Sequence, residues 1–417
     1  MPGPFETPLS QQLWSRIVYI TAIVAFLLLW VFAWSWSDEP ISTTDERHLD
    51  TEDWTPTVTL DPMVELPSNL SSLCNPDTFN QGQWTLKPIK AKDAHAIEQV
   101  ANYHCPSNFP HKCYRRSDEG GEFNRAKHIM DYTWVPNDCS LVPFDAGVFA
   151  KYLGDHPLLF VGDSINQLEY ESLACLLGQY MHDPSSDTRL SGGNPNMWIS
   201  QLVHQEKLQV EGAVSMAYLR SDYLVRLDDF KLHDPMDEEG YLIGKGSNFP
   251  WKHALDRFDN IVINTGPHWH PDLKWGPNKS EKELLDAFSK GMRVVFDYLK
   301  EHVKPRQRVF IRSTPYGHAK CSQYKQPDIK APHAPSGQPG EYEWHLHEQF
   351  DTIWKNWIMQ ENDIRFRFFN VSTMANLRGD AHSRPDSDCL HTCLPGPVDD
   401  WNRLLYNEIA RASAGLP

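Results

Sequence analysis

Basic clusters are what this 417-residue sequence most plainly lacks. Lys and Arg total 39 against 55 Asp and Glu, giving a formal net charge of −16, and no run of basic residues stands anywhere. Phosphate backbones are bound by clustered Lys and Arg, so nucleic acid is excluded as the main partner. Internal repeats are absent too, which sets aside solenoid and propeller arrays. Cysteine and histidine form no second cluster at zinc-finger spacing. What remains is globular: 40% hydrophobic and 23% charged, with 15 Trp, 15 Tyr and 31 Pro. The length suffices for one large domain or two ordinary ones. So much Trp, Tyr and Pro suits a loop-rich fold, and aromatic surfaces can stack on sugar rings as well as fill a core.

Residues 17–37, "IVYITAIVAFLLLWVFAWSWS", carry no charge. At about 1.5 Å per residue they can span a bilayer, with Trp30, Trp34 and Trp36 where an interfacial belt would fall. Arg16 precedes the run, and an acidic stretch from Asp38 to Asp53 follows it. The expected arrangement is a cytoplasmic tail at 1–16, an uncleaved signal anchor at 17–37 and the bulk of the chain in the secretory lumen. A cleaved signal peptide is the alternative. Residues 38–70, acidic and rich in Pro, Ser and Thr, form an expected stem linker.

Eight cysteines, at 74, 105, 113, 139, 175, 321, 389 and 393, suit an oxidising lumen and up to four disulfides, whose pairing the spacing does not define. Glycan acceptor triplets at Asn69, Asn278 and Asn370 agree with that compartment. Residues 71–143 are turn-rich with four cysteines and read as a disulfide-stapled N-terminal subdomain. From 144 to 417 the pattern changes to alternating strands and helices. Apolar runs at Pro157–Asp163, Phe258–Gly266, Arg308–Ser313 and Arg365–Ser372 are strand candidates. Helical patterns follow from Ile165, across Ser280–Val303, within Glu341–Gln360 and over Val398–Ala412. Such alternation predicts an α/β fold with a mostly parallel sheet covered on both faces. Residues 208–227 read as a strand pair.

Parallel sheets bind ligands at the carboxyl ends of their strands. Gly162-Asp163-Ser164, Asn264–Gly266 and Ser313-Thr314 would converge at that edge. Ser164 is then a nucleophile or a helix N-cap, and both suit a serine between a strand and a helix. A serine nucleophile needs a base, usually His oriented by a carboxylate. Asp388 and His391, three apart in an expected loop, are the candidates. Asp386, Asp388, Cys389, His391 and Cys393 together also form a possible metal-ligand group. In an oxidising lumen the cysteines would be disulfides, so no metal is expected.

The "GDS" at Gly162–Ser164 with Asp-x-x-His at Asp388–His391 resembles the SGNH/GDSL hydrolase superfamily. More closely, the blocks "YTWVPNDCSLVPFDAGVF", "LLFVGDSINQLEYESLACLL", "NTGPHWH", "RSTPYGH" and "DCLHTCLPGPVDDWNRLL" resemble, in order, those of the trichome-birefringence-like, PC-esterase family of polysaccharide O-acetyltransferases. The likeness covers most of the chain beyond Cys74. It implies an SGNH-like sheet, Ser164 as nucleophile, His391 as general base and Asp388 as its orienter. Cys105 or Cys113, and Cys321, are by the same resemblance plausible partners of Cys389 and Cys393. Three departures bear on the acceptor: Pro267 is inserted, His270 replaces a Trp, and Thr392 replaces another. Gly162 and Asn264 are candidates for oxyanion or substrate contact, Asn264 otherwise being a strand-end turn residue. Arg312 would clamp a substrate or form a structural ion pair. His268 and Trp269 would line a sugar groove or pack the loop.

The expected function is transfer of an acetyl group through acetyl-Ser164 to a sugar hydroxyl, in the Golgi, by a single-pass type II membrane enzyme. No bound cofactor is expected. The partners are a polysaccharide acceptor and an acetyl donor, for which acetyl-CoA is one candidate. A carbohydrate acetylesterase is the nearest alternative, and a non-catalytic glycan-binding lectin the alternative from another class.

Overall fold

The computed structural model describes residues 62–416 apart from 106–108, 117–120, 181–196, 201–214, 226, 229–230, 233–250, 271–276, 329–334, 336 and 338–341. The elements run β1 (Gly82–Leu86), α1 (Ala94–Ala101), α2 (Glu122–Met130), β2 (Tyr132–Pro136), α3 (Ala146–Asp155), β3 (Leu158–Gly162), α4 (Ser164–Leu176), β4 (Met197–Ser200) and β5 (Met216–Arg220). A two-residue pair β6 (Leu227–Asp228) and β7 (Lys231–Leu232) follows, then β8 (Asn260–Ile263), α5 (Glu281–His302), β9 (Arg308–Arg312), α6 (His347–Glu361) and β10 (Phe366–Phe369). The chain ends with α7 (Ser372–Ala375), β11 (His382–Arg384), β12 (Asp388–Thr392) and α8 (Pro397–Ser413).

Six strands form the central sheet in the order β10-β9-β8-β3-β5-β4, all parallel except the edge strand β4. The alternation of side chains along each strand divides the core. Leu158, Phe160, Val262 and Phe310 enter one cluster with α4 and α8 residues such as Leu168, Leu173, Trp401 and Leu405. Leu159, Val161, Ile261, Ile263, Val309 and Ile311 enter the other with Phe288, Phe296 and Trp354 of α5 and α6. Burial on both faces is why these strands read as continuous apolar runs. The long α5 starts at a capping box, Ser280 with Glu283, as its sequence suggests.

One element differs from expectation, and one is only partly described. Of the expected strand pair at 208–227, residues 208–214 lie outside the described residues; the described part is β5, which pairs antiparallel with β4 and parallel with β3. Asp388 to Thr392 is a strand, β12, antiparallel to β11. The Cys-rich segment 71–143 supplies most of a small third cluster, in which Ile97, Cys113, Tyr114, Ala126 and Ile129 meet Ala381 and Cys393. Its antiparallel pair β1–β2 places Trp84 and Trp134 in the same cluster as Phe310 and Trp401, and Val58–Pro417 is one compact unit. The expected anchor at 17–37 lies outside the described residues, as does most of the expected stem. Among the described residues no helix is long and apolar enough to cross a membrane.

Candidate active site

β3 runs fully buried to Gly162, and the chain turns there into α4. A Cβ on Gly162 would stand 2.2 Å from the Asn264 carbonyl oxygen, so glycine lets β3 and β8 end side by side. Asp163 is the N-cap: its carboxylate accepts from Ile165 N–H at 2.9 Å. Capping is therefore done by Asp163, and Ser164 occupies the first helical position with its hydroxyl half-buried at the sheet's carboxyl edge. α4 is anchored against α8 by polar contacts: Asn402 Nδ2 donates to Glu169 O at 3.0 Å and Ser172 Oγ at 2.9 Å.

β12 delivers the other two residues. His391 Nε2 is 2.7 Å from Ser164 Oγ, and His391 Nδ1 is 2.9 Å from Asp388 Oδ2. The other Asp388 oxygen accepts the N–H groups of Leu390 and His391, each at 3.1 Å. Burial opposes ionisation of Asp388, but its hydrogen bonds and its pairing with His391 outweigh that, and its pKa falls well below the carboxylate range. An ionised Asp388 accepts Nδ1–H, which leaves the lone pair of Nε2 facing Ser164 Oγ. Serine, imidazole and carboxylate thus form one hydrogen-bonded row at a helix N-terminus, where backbone N–H groups favour developing negative charge.

Disulfides hold β12 at two points. Cys389 is bonded to Cys321 and Cys393 to Cys113; Cys74–Cys139 and Cys105–Cys175 complete the set. Both cysteines of the possible metal-ligand group are thereby oxidised, and among the described residues no group of His, Cys, Asp or Glu could hold a metal ion. β11 backs β12 with His382, whose Nε2 donates to His318 Nδ1 at 2.8 Å while His318 Nε2 donates to Asn376 O. Burial and the neighbouring His318 press the His382 pKa down to about 3.

Three site candidates take the structural one of their two expected roles. Asn264 does not face Ser164: its Nδ2 donates to Arg312 O at 2.9 Å and Thr314 Oγ1 at 3.0 Å, and its Oδ1 accepts from Arg312. Arg312 is completely buried, paired with Glu169 at 2.9 Å and with Asn166 Oδ1, and lies over the Trp401 ring. It is a structural ion pair; burial pushes the Glu169 pKa up to about 7 even with Arg312 beside it. Trp269 is a core residue against Phe288 and Tyr223, its Nε1 donating to Thr265 Oγ1, and not part of a groove. His268 remains half-buried, with Nε2 3.7 Å from Asp222 Oδ1.

Other residues come to this edge without a signal in the sequence. Arg220 ends β5 opposite Gly162 and donates to Asp222 at 2.8 Å. Tyr218 donates to the Asp163 carbonyl at 3.0 Å. His111 stacks on His391. Only a long-range contact links His111 to the site, and the single available hint was its place two residues before Cys113.

The PC-esterase family, described as a GDSL/SGNH-like acyl-esterase family found in Pmr5 and Cas1p, matches residues 141–408. Protein trichome birefringence-like 38 of Arabidopsis thaliana is 26% identical over 67% of this chain and 73% of its own length. Xyloglucan O-acetyltransferase 1 of the same plant is 26% identical over 72% of this chain and 73% of its own. Xylan O-acetyltransferase 6 of Oryza sativa subsp. japonica is 24% identical over 69% and 56%. Among solved structures, a catalytic mutant of Axe2, an acetylxylan esterase from Geobacillus stearothermophilus, aligns with 63% of this chain and 95% of its own at 11% identity and a TM-score of 0.29. With its match spanning more than half of the sequence and containing Ser164, Asp388 and His391, the chain belongs to the PC-esterase family of GDSL/SGNH-like acyl-esterases.

Proposed function

We propose that this protein moves acetyl groups onto polysaccharide hydroxyls by way of an acetyl-Ser164 intermediate. The observation that carries the reading is the row Asp388–His391–Ser164, with contacts of 2.9 and 2.7 Å, at the N-terminus of α4. Relatives named for acetylation of xyloglucan and xylan support the polysaccharide acceptor. In the first step His391 takes the Ser164 proton as Oγ attacks the acetyl carbonyl, and returns it to the departing donor group. The α4 N-terminus stabilises the oxyanion, and Asp388 stabilises the imidazolium. In the second step His391 deprotonates a sugar hydroxyl, which attacks the acetyl carbon and frees Ser164. Acetyl-CoA is a candidate donor.

Water can take the place of the sugar in the second step, so acetylesterase activity is the second reading, favoured by the family's description as acyl-esterases. An anchor at 17–37 would hold the enzyme in the Golgi membrane with its catalytic domain in the lumen. The fully disulfide-bonded cysteines of the described residues agree with that oxidising compartment. Of the glycan acceptors, Asn69 and Asn278 are exposed, and Asn370 is half-buried. Incubating the full chain with acetyl-CoA and a panel of glycans, with mass spectrometry of the glycans, tests the proposal. Acetylated glycan that disappears in Ser164→Ala is expected. Removal of acetyl groups from pre-acetylated glycans, with no transfer at any donor level, would replace the transferase reading by the esterase one.

A further inference from the structure

The imidazole of His391 sits on a half-buried strand, and a second imidazole is stacked beside it. The ring of His111 lies nearly parallel to that of His391, 12° between planes and 5.5 Å between centroids. His111 is itself fixed. Its Nδ1 is 3.0 Å from Oε2 of Glu171, a fully buried carboxylate whose other oxygen accepts from Gln167 Nε2 at 2.8 Å. The His111 main chain is tied to the end of the catalytic strand as well. Its carbonyl accepts from Leu394 N–H at 2.8 Å, and Cys113, two residues on, is bonded to Cys393.

Glu171 and Ser164 are both on α4, seven residues and about two turns apart. One helix therefore presents the hydroxyl that meets His391 and the carboxylate that holds the ring stacked on it. A histidine ring has a broad second torsion, so a half-exposed imidazole held by Asp388 alone can pivot about that bond. A fixed ring against its face removes the pivot. We propose that His111, held by Glu171, is a positioning residue that confines the His391 imidazole to the orientation reaching Ser164 Oγ. The inference rests on the Ser164–His391 reading above. The contact is ring against ring, so a phenyl group at 111 should serve nearly as well as the imidazole, whereas a methyl group should not.

The test uses the full chain and p-nitrophenyl acetate as the acetyl probe, with kcat and KM measured separately. His111→Ala should lower kcat by about 10-fold or more, short of the roughly 100-fold that a 1 Å misplacement can cause, with KM within about 2-fold. His111→Phe should stay within about 3-fold of the original kcat. Glu171→Gln should fall between the two variants. Thermal unfolding of each variant separates loss of folded protein from loss of rate. Equal kcat in His111→Ala and the original chain overturns the proposal. So does an equal deficit in His111→Ala and His111→Phe, which would assign the work to the imidazole nitrogens. A change confined to KM overturns it too. Ser164→Ala run beside them isolates the underlying reading: if that chain still turns over the probe, the Ser164–His391 assignment fails first.

Discussion

Ser164 and His391 meet at 2.7 Å, yet the two strands that bring them there are held by opposite means. β3 is buried at every position between two parallel neighbours, and α4 continues it into the core. β12 is half-buried at four of its five positions and, among the described residues, pairs only with the short β11. A two-stranded ribbon with so little burial is marginal in water. Disulfides from Cys321 and Cys113, segments distant in sequence, supply the restraint that burial supplies to β3. The Ser164 side is thus part of the folding core, with Cys105–Cys175 at the far end of α4, and the His391 side depends on its staples. Damage to the first should appear as lost stability, and damage to the second as lost geometry.

The largest effect tests the meeting point. Ser164→Ala should lower acetyl turnover to the detection limit, by up to about 10⁶-fold on the scale of nucleophile removal in serine hydrolases. Its melting temperature should not move, because Asp163 caps the helix. Asp388→Asn comes next: loss of the correct His391 tautomer should lower kcat by about 10⁴-fold, again with little change in melting temperature. The two sides then separate. Glu169→Ala strands the buried Arg312 and should cost about 3–5 kcal/mol in denaturant unfolding, while the protein that remains folded keeps its kcat. Cys321→Ser with Cys389→Ser should do the reverse, lowering kcat by roughly 10-fold with a smaller loss of stability. Equal stability losses in these two variants would break the contrast.

The smallest effect is on pH. His382, pressed down to about 3 behind β12, stays neutral while an unfolded chain would protonate it. The unfolded state thus binds the extra proton between the ordinary histidine value and about 3. Its contribution to stability is complete above that window and is lost as pH falls through it. His347, lowered to about 4 by burial, acts the same way, whereas Glu169 and Asp351, both raised to about 7 by burial, act oppositely. The informative quantity is therefore a difference. The stability gap between the original chain and His382→Asn should narrow by about 2 kcal/mol or less between pH 7.5 and pH 5. A gap that widens on acidification would contradict the assignment.

The parallel sheet was legible because each strand is an uninterrupted apolar run bounded by turn residues and followed by a helix-period pattern. The row Ser164, Asp388, His391 was legible as residue types within recognisable blocks. What was not legible depends on where side chains point or on partners far along the chain. Asn264 and Arg312 stand at strand ends, where the sequence does not say whether a side chain turns outward or back under the edge; both turn back. β12 looked like a loop because its partner is three residues long and its restraint is covalent. The pair β1–β2 brings Trp84 to Trp134 across about fifty residues, and no local period announces it. His111 belongs to this group, since its contacts lie 60 residues away at Glu171 and 280 at His391.

Covalent capture at Ser164 tests the central claim most directly. The full chain is mixed with p-nitrophenyl acetate in the absence of glycan, quenched in acid within one turnover and mapped by peptide mass spectrometry. The account predicts a single acetyl group on the peptide containing Ser164, absent in Ser164→Ala and accumulating more slowly in Asp388→Asn. Turnover of the probe with the acetyl group never found on Ser164, or found there as fast in Asp388→Asn as in the original chain, would contradict it.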